Sequence, residues 1–107
     1  MNATISILFY LKRAKANAQG LAPIFQRITI NGRRLDNSTG KFVDPSKWHP
    51  EMSKMRGNSE EARLINGHLD NLRTKILIAE KELNKKDIPV NLETLKNMLL
   101  GTKERQR

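Results

Sequence analysis

The sequence has no cysteine, few aromatic residues and no apolar run long enough to cross a membrane. The missing cysteines exclude disulfides and thiolate metal sites. A membrane-spanning helix needs about 20 apolar residues, so we expect no membrane partner. Gly-rich phosphate loops and the G-x-S-x-G motif are also absent. His49 and His68 have no carboxylate or thiol at ligand spacing. We therefore expect a chain without catalytic residues, metal, cofactor or small-molecule substrate.

Charge is the most informative property of the composition. The 107 residues include 20 Lys/Arg and 11 Asp/Glu, a formal net charge of +9. Residues 1–50 carry eight basic and two acidic side chains, a net +6, whereas residues 51–107 carry twelve and nine, a net +3. A basic half beside a nearly balanced half indicates one face that suits a polyanion such as nucleic acid.

The first half has the pattern of an antiparallel sheet. Residues 4–11 and 22–30 alternate between apolar and other side chains, with the period of two that is typical of half-buried strands. Asn31-Gly32 follows directly and predicts a two-residue type I′ turn. A third strand then begins at Arg33, and Thr39-Gly40 either ends it or forms a bulge. The turn predicts the cross-strand pairs Ile30–Arg33, Ile28–Leu35, Arg27–Asp36 and Phe25–Ser38.

The second half is predicted to be mostly helical. Asp44-Pro45 opens one helical turn with Asp as the N-cap, and we expect Trp48 after it to lie in the core. Residues 50–57 are predicted to be a connector, followed by a capping box of Asn58 and Glu61. One apolar stripe then predicts a helix from about residue 60 to residue 86. Its members are Ile65, Leu69, Leu72, Ile76, Ala79 and Leu83.

A short terminal helix completes the prediction. Ile88-Pro89 breaks the long helix, Asn91 caps the next one, and Gly101 stops it. Strands grouped before helices predict an α+β fold, a three-stranded antiparallel sheet packed against a long C-terminal α-helix. We assign residues 1–87 to the sheet and long helix, and residues 88–107 to the short helix and a linker.

The long helix covers one face of this sheet and leaves the other face open. The pleat predicts arginines, hydroxyls and rings on the open face, and arginine can bond bidentately to guanine or to phosphate. Lysines and arginines at the rim are expected to meet phosphates. The candidate DNA-binding residues on the face are Tyr10, Lys12, Phe25, Arg27, Thr29, Asn31, Arg34 and Ser38, with Arg13, Lys15 and Arg33 at its margins.

The motifs of the chain resemble those of a known family. The first-half motifs are residues 7–12 (ILFYLK), 20–24 (GLAPI), 27–34 (RITINGRR) and 38–40 (STG), followed by Trp48. Asn66 with Leu69 and residues 90–93 (VNLE) are also similar. Together they resemble the N-terminal arm-type DNA-binding domain of Bacteroides-type integrases, which are tyrosine site-specific recombinases of mobile elements and phages. Asn37 departs from the pattern, because an aromatic is expected there.

The resemblance implies a fold and a function. In related integrases the arm domain is a three-stranded sheet packed on a helix, and the sheet enters the major groove of arm-type DNA sites. A core-binding domain and a catalytic domain follow, so residues 88–107 would lead towards a core-binding domain. The implied partners are double-stranded DNA and other integrase protomers. The implied location is the bacterial cytoplasm, at the nucleoid when DNA is bound.

Two other functions compete with this one. A basic sheet with outward rings can also stack single-stranded bases, so an RNA- or ribosome-associated domain is the alternative. A protein-interaction module is the third hypothesis, in which residues 92–99 dock a downstream domain. It is compatible with DNA binding.

Overall fold

The computed structural model describes residues 5–104, with side chains described as far as Leu99. Thr4, which was predicted to begin the first strand, and residues 105–107, the end of the predicted linker, lie outside the described residues. The chain forms a three-stranded antiparallel sheet, a small two-stranded sheet and two helices. The predicted α+β fold is confirmed.

The main sheet has the strand order β1 (Ile5–Leu11), β2 (Ala22–Ile30) and β3 (Arg33–Val43). Asn31 and Gly32 join β2 to β3 with φ values of 53° and 81°, and a type I′ turn requires a positive φ at both positions. All four predicted cross-strand pairs between β2 and β3 are present.

A bulge interrupts the pairing of β2 with β3. Ser38 lies opposite Phe25 and Phe42 opposite Pro23, so three residues of β3 face Ile24 alone. Within the bulge, Gly40 has a φ of 82°, a conformation that favours glycine. The hydroxyl of Thr39 donates to the Ile24 carbonyl at 2.8 Å. Of the two predicted alternatives for Thr39-Gly40, the bulge is confirmed and the end of the strand is wrong, because β3 continues to Val43.

A small hairpin replaces part of the predicted connector. Asp44 caps a helical turn at Pro45–Lys47 as expected, accepting a hydrogen bond from the Ser46 N–H at 3.0 Å. β4 (Trp48–His49) and β5 (Lys54–Met55) then pair in an antiparallel manner. Trp48 is only 3% exposed, so its predicted place in the core is confirmed.

The two helices are α1 (Glu60–Lys85) and α2 (Leu92–Glu104). Ser59, not Asn58, caps α1, because its hydroxyl accepts the Ala62 N–H at 3.1 Å. Asn91 caps α2 as expected and exchanges hydrogen bonds with Thr94. α2 continues past Gly101, so the predicted stop is wrong. A glycine inside a helix costs about 1 kcal/mol relative to alanine but does not end it unless the backbone turns left-handed there.

The core lies between the sheet and α1, in two clusters. The first joins β1 and β2 to the small hairpin and the N-terminal half of α1, with Phe9, Ile24 and Met55 almost fully buried. The second joins Ile28 and Ile30 to the C-terminal half of α1 and to α2. The apolar side chains of α2 thus complete this domain's own core. They are Leu92, Leu95, Met98 and Leu99.

The third strand has the facing that the turn predicts. Asn37 pairs with Gln26 on the α1 side of the sheet and is exposed, because β3 is an edge strand there. Gln26 is 4% exposed, and its Nε2 has no hydrogen-bond partner among the described residues. A polar pair therefore lies in the middle of this mostly apolar face.

Candidate nucleic-acid interface

The open sheet face is the surface of β1, β2 and β3 that points away from α1. Because the strands are in register, its side chains form three rows across the sheet, each with its central member on β2. The rows are Ser6–Thr29–Arg34, Leu8–Arg27–Asp36 and Tyr10–Phe25–Ser38.

Arg27 is the centre of a hydrogen-bonded network in the middle row. Its Nε donates to Oδ1 of Asp36 at 3.0 Å and its Nη2 donates to Oδ2 at 3.0 Å. The Tyr10 hydroxyl donates to the same Oδ2 at 2.8 Å. The guanidinium carbon lies 4.8 Å from the centroid of the Tyr10 ring. The Asp36 carboxylate therefore holds the plane of the Arg27 guanidinium, and the Tyr10 ring packs against the same group.

The network changes the acidity of its members. The hydrogen bonds from Arg27 hold the pKa of Asp36 below its ordinary value. Burial raises the pKa of Tyr10, and its hydrogen bond to Asp36 adds to this effect. Asp36 is therefore a carboxylate and Tyr10 a neutral phenol at neutral pH.

Two neighbouring rings on the open sheet face are flanked by cations at both ends. Beyond the Arg27–Tyr10 contact, the Tyr10 and Phe25 ring centroids are 6.2 Å apart. The Lys12 ammonium lies 4.1 Å from the Phe25 centroid and that of Lys15 lies 5.9 Å from it. Cations gain from contact with the negative faces of such rings. We call this series, Arg27–Tyr10–Phe25–Lys12/Lys15, the cation–aromatic ladder.

The other predicted site residues occupy three places. Thr29, Arg34 and Ser38 lie on the open sheet face, and the N–H of Lys12, just past β1, bonds to the Pro23 carbonyl at 3.1 Å. Arg13 and Lys15 are exposed in a 3-10 turn after Lys12.

Two predicted residues lie off the open sheet face. Asn31 is in the turn between β2 and β3 rather than on a strand. Arg33 pairs with Ile30 and shares the other side of the pleat with Leu35, although it is exposed at the turn.

Four residues of the open sheet face are absent from the predicted site: Ser6, Leu8, Asp36 and Phe42. Asp36 was expected only as a cross-strand partner of Arg27, and the alternation of β1 placed Leu8 there without a role. Leu8 is 39% exposed and flanks Arg27 on the side opposite Asp36. Phe42 is 43% exposed and pairs with Pro23. The bulge before Phe42 shifts the register of β3 against β2, so counting along both strands from the turn does not bring Phe42 opposite Pro23.

Among the side chains of residues 5–99, no three His, Cys, Asp or Glu residues cluster in a way that could hold a metal ion. The Met52 N–H lies 3.3 Å from Nδ1 of His49. Nε2 of His68 lies 3.2 Å from the Thr39 carbonyl and joins α1 to the β3 bulge. Over the same residues, no helix combines the length and apolarity that crossing a membrane requires.

The fold and the open sheet face define the class of protein: a small α+β module with one sheet face packed on a helix and the other exposed and bearing cations, rings and hydroxyls. The chain belongs to the arm DNA-binding domain family, whose family model matches residues 9–96. Members of this family are DNA-binding domains of integrase-type proteins. The match confirms the predicted arm-type DNA-binding domain. No curated protein and no solved structure gives a significant match to the chain.

Proposed function

We propose that this chain binds double-stranded arm-site DNA through the open sheet face, as the N-terminal domain of a site-specific recombinase. In this proposal the parent protein is a Bacteroides-type tyrosine recombinase that acts in DNA integration at a mobile element or phage, in the bacterial cytoplasm and together with other protomers. The contribution of the chain is binding and not strand cleavage. The cation–aromatic ladder is the observation that carries the proposal.

Shape supports insertion of the sheet into a major groove. Strands in a sheet are about 4.8 Å apart, so the outer two of three strands are separated by about 10 Å. The major groove of B-DNA is about 12 Å wide and exposes base edges that distinguish all four base pairs. Hydroxyls and guanidinium groups on the open sheet face could therefore reach these edges, while the cations of the 3-10 turn meet phosphates at the rim.

The ladder favours duplex DNA over the RNA alternative. Single-stranded bases bind by stacking on exposed rings. Here Arg27 lies against the Tyr10 ring and Lys12 against the Phe25 ring, so these cations compete with bases for the ring faces. The positive charge of Lys12 remains available to a phosphate backbone, whereas that of Arg27 is balanced by the Asp36 carboxylate.

Competition binding and chemical-shift mapping test the proposal. Duplexes that bind the chain are selected from a randomised pool, and the tightest is titrated against its scrambled form and against single-stranded RNA. We expect the selected duplex to bind tightest and its shifts to fall on the three rows of the open sheet face. Tighter binding of RNA, or shifts centred on α1, would overturn the proposal.

A further inference from the structure

We propose that Arg27 specifies a guanine in the bound duplex, and that Asp36 and Tyr10 are positioning residues that present its guanidinium to that base. This inference rests on the proposed binding of duplex DNA by the open sheet face. It goes beyond that proposal by naming the residue that contacts a base, the base that it recognises, and the two side chains that make this contact selective.

The hydrogen bonds of Arg27 leave one edge of the guanidinium free. Arginine has five N–H donors in a rigid plane. Asp36 accepts from Nε and from one N–H of Nη2, which leaves one N–H on Nη2 and two on Nη1. One donor from each Nη then points forward, in parallel, along the direction of the side chain. This end-on pair is a two-donor fork.

Guanine is the base that matches such a fork. In the major groove it presents two neighbouring acceptors, N7 and O6. Adenine offers N7 beside an amino donor, cytosine offers an amino donor, and thymine offers one acceptor beside a methyl group. Each of these leaves at least one Arg27 donor unmatched. The fork therefore discriminates between bases and does not merely add positive charge.

The surroundings of Arg27 hold the fork in place before DNA arrives. The Tyr10 hydroxyl fixes Asp36, Asp36 fixes the guanidinium plane, and the Tyr10 ring supports the guanidinium at 4.8 Å. Leu8, on the opposite side of the row, has no side-chain acceptor that could divert the free donors. A side chain ordered in advance loses less entropy on binding than a free one.

Arg34 differs from Arg27 in its position on the sheet and in its exposure. It is exposed on the edge strand β3, one row nearer the turn. Arg27 lies on the central strand with a side chain that is 29% exposed. We therefore assign base recognition to Arg27 and phosphate contact to Arg34.

The test uses a duplex selected by the wild-type chain from a randomised pool. Each guanine of the selected site is replaced in turn by 7-deazaguanine, which lacks N7, or by adenine with its complement. We expect one guanine whose replacement by adenine weakens wild-type binding about 5- to 150-fold, the range of a good bidentate contact, with a smaller loss for 7-deazaguanine. Binding to random duplex is measured alongside.

The variants separate recognition from charge. Arg27→Lys keeps the charge but loses the fork. Replacing the guanine by adenine should therefore no longer weaken binding, and Arg27→Lys should lose more affinity for the selected site than for random duplex. Asp36→Asn and Tyr10→Phe should reduce the same discrimination, with a larger loss of affinity for the selected site than for random duplex. Arg34→Lys is the matched control and should keep full discrimination. Circular dichroism and thermal unfolding verify that each variant is folded.

The outcomes distinguish this inference from the proposed function. If the chain binds no duplex, the proposed function fails. If it binds duplex but Arg27→Lys keeps the preference for the guanine, or if the selected site contains no sensitive guanine, only the Arg27 assignment fails. If Asp36→Asn and Tyr10→Phe weaken all duplexes alike, or leave discrimination intact, their positioning role is wrong.

Discussion

The side-chain amide of Asn66, in the second turn of α1, bonds to both backbone groups of Met55 in β5. It accepts the Met55 N–H at 2.9 Å and donates to the Met55 carbonyl at 3.1 Å. An amide side chain that satisfies both groups takes the place of a neighbouring strand. It holds the small hairpin on α1, where Met55 and Trp48 enter the first core cluster.

Asn66→Ala should lower the free energy of unfolding by about 1–3 kcal/mol, because two partly buried backbone groups lose their partners. Asn66→Asp keeps the acceptor and loses the donor, so it should be intermediate. Asn71→Ala, at an exposed position of the same helix, corrects for helix propensity. Urea unfolding measures all three. Equal effects at Asn66 and Asn71 would mean that the two hydrogen bonds do not stabilise the fold.

The elements that could be predicted from sequence are those with local causes. Asn31-Gly32 determines the register of β2 and β3 through its turn geometry, and the stripe along α1 follows from helical periodicity. The small hairpin has no such signal, because two-residue strands contain no periodicity. It depends on Asn66, which lies 11 residues from its partner Met55. The bulge at Thr39-Gly40 depends in the same way on a contact with the Ile24 carbonyl.

The sequence predicts which side chains share the open sheet face, but not how these side chains contact one another. Strand alternation and the turn together placed Arg27, Asp36 and Phe25 on one face. The approach of Lys12 to Phe25 and of Tyr10 to Asp36 depends on rotamers of side chains on separate segments, which no spacing rule gives. The hydrogen bond from Tyr10 that positions Asp36 is therefore visible only in the structure.

Ile76→Ala should cost about 2–5 kcal/mol, the range for truncation of a fully buried isoleucine. Ile76 is 2% exposed in the second core cluster. Leu72 belongs to the same stripe but is only half-buried, so Leu72→Ala should cost less. Leu64→Ala, at a 68% exposed position, should change stability by less than about 0.5 kcal/mol. Similar losses at Ile76 and Leu64 would show that the stripe is not the core contact.

The Arg27–Asp36 pair should make stability depend on acid pH. The folded pKa of Asp36 is lowered, whereas an unfolded aspartate titrates near 3.9. The unfolded chain therefore binds more protons, and stability that is present above about pH 5 is lost as the pH falls through the folded pKa.

Asp36→Asn should remove this contribution. The difference in stability between wild type and variant should be largest near neutral pH and shrink in acid. The pKa of Asp44 is also lowered, first by its hydrogen bond from the Ser46 backbone, so Asp44→Asn separates the two carboxylates. Urea unfolding from pH 7 to pH 2.5 measures the effect. A difference that stays constant over this range would contradict the role given to Asp36.

The purified chain should not cleave DNA. Tyr10 is its one tyrosine, and its hydroxyl donates to Asp36 and has a raised pKa caused mainly by burial. A raised pKa keeps the phenol protonated, and Asp36 is a weak base for activating it because its hydrogen bonds from Arg27 lower its pKa. Supercoiled plasmid containing the selected site should remain intact on incubation with the chain. Nicking that disappears in Tyr10→Phe would refute this expectation.

Lys15→Ala should weaken binding of all duplexes about equally. Lys15 lies in the exposed turn at the rim of the open sheet face, with its ammonium 5.9 Å from the Phe25 ring, where it is placed to meet a phosphate. Each phosphate contact adds about one unit to the slope of log affinity against log salt concentration, so this variant should reduce that slope by about one. Lys81→Ala removes the same charge from an exposed position on α1 and should leave the slope unchanged. Fluorescence anisotropy from 50 to about 200 mM salt measures both. A loss confined to the selected site would instead make Lys15 a base-reading residue, and an equal change in slope for Lys81→Ala would indicate a general effect of net charge.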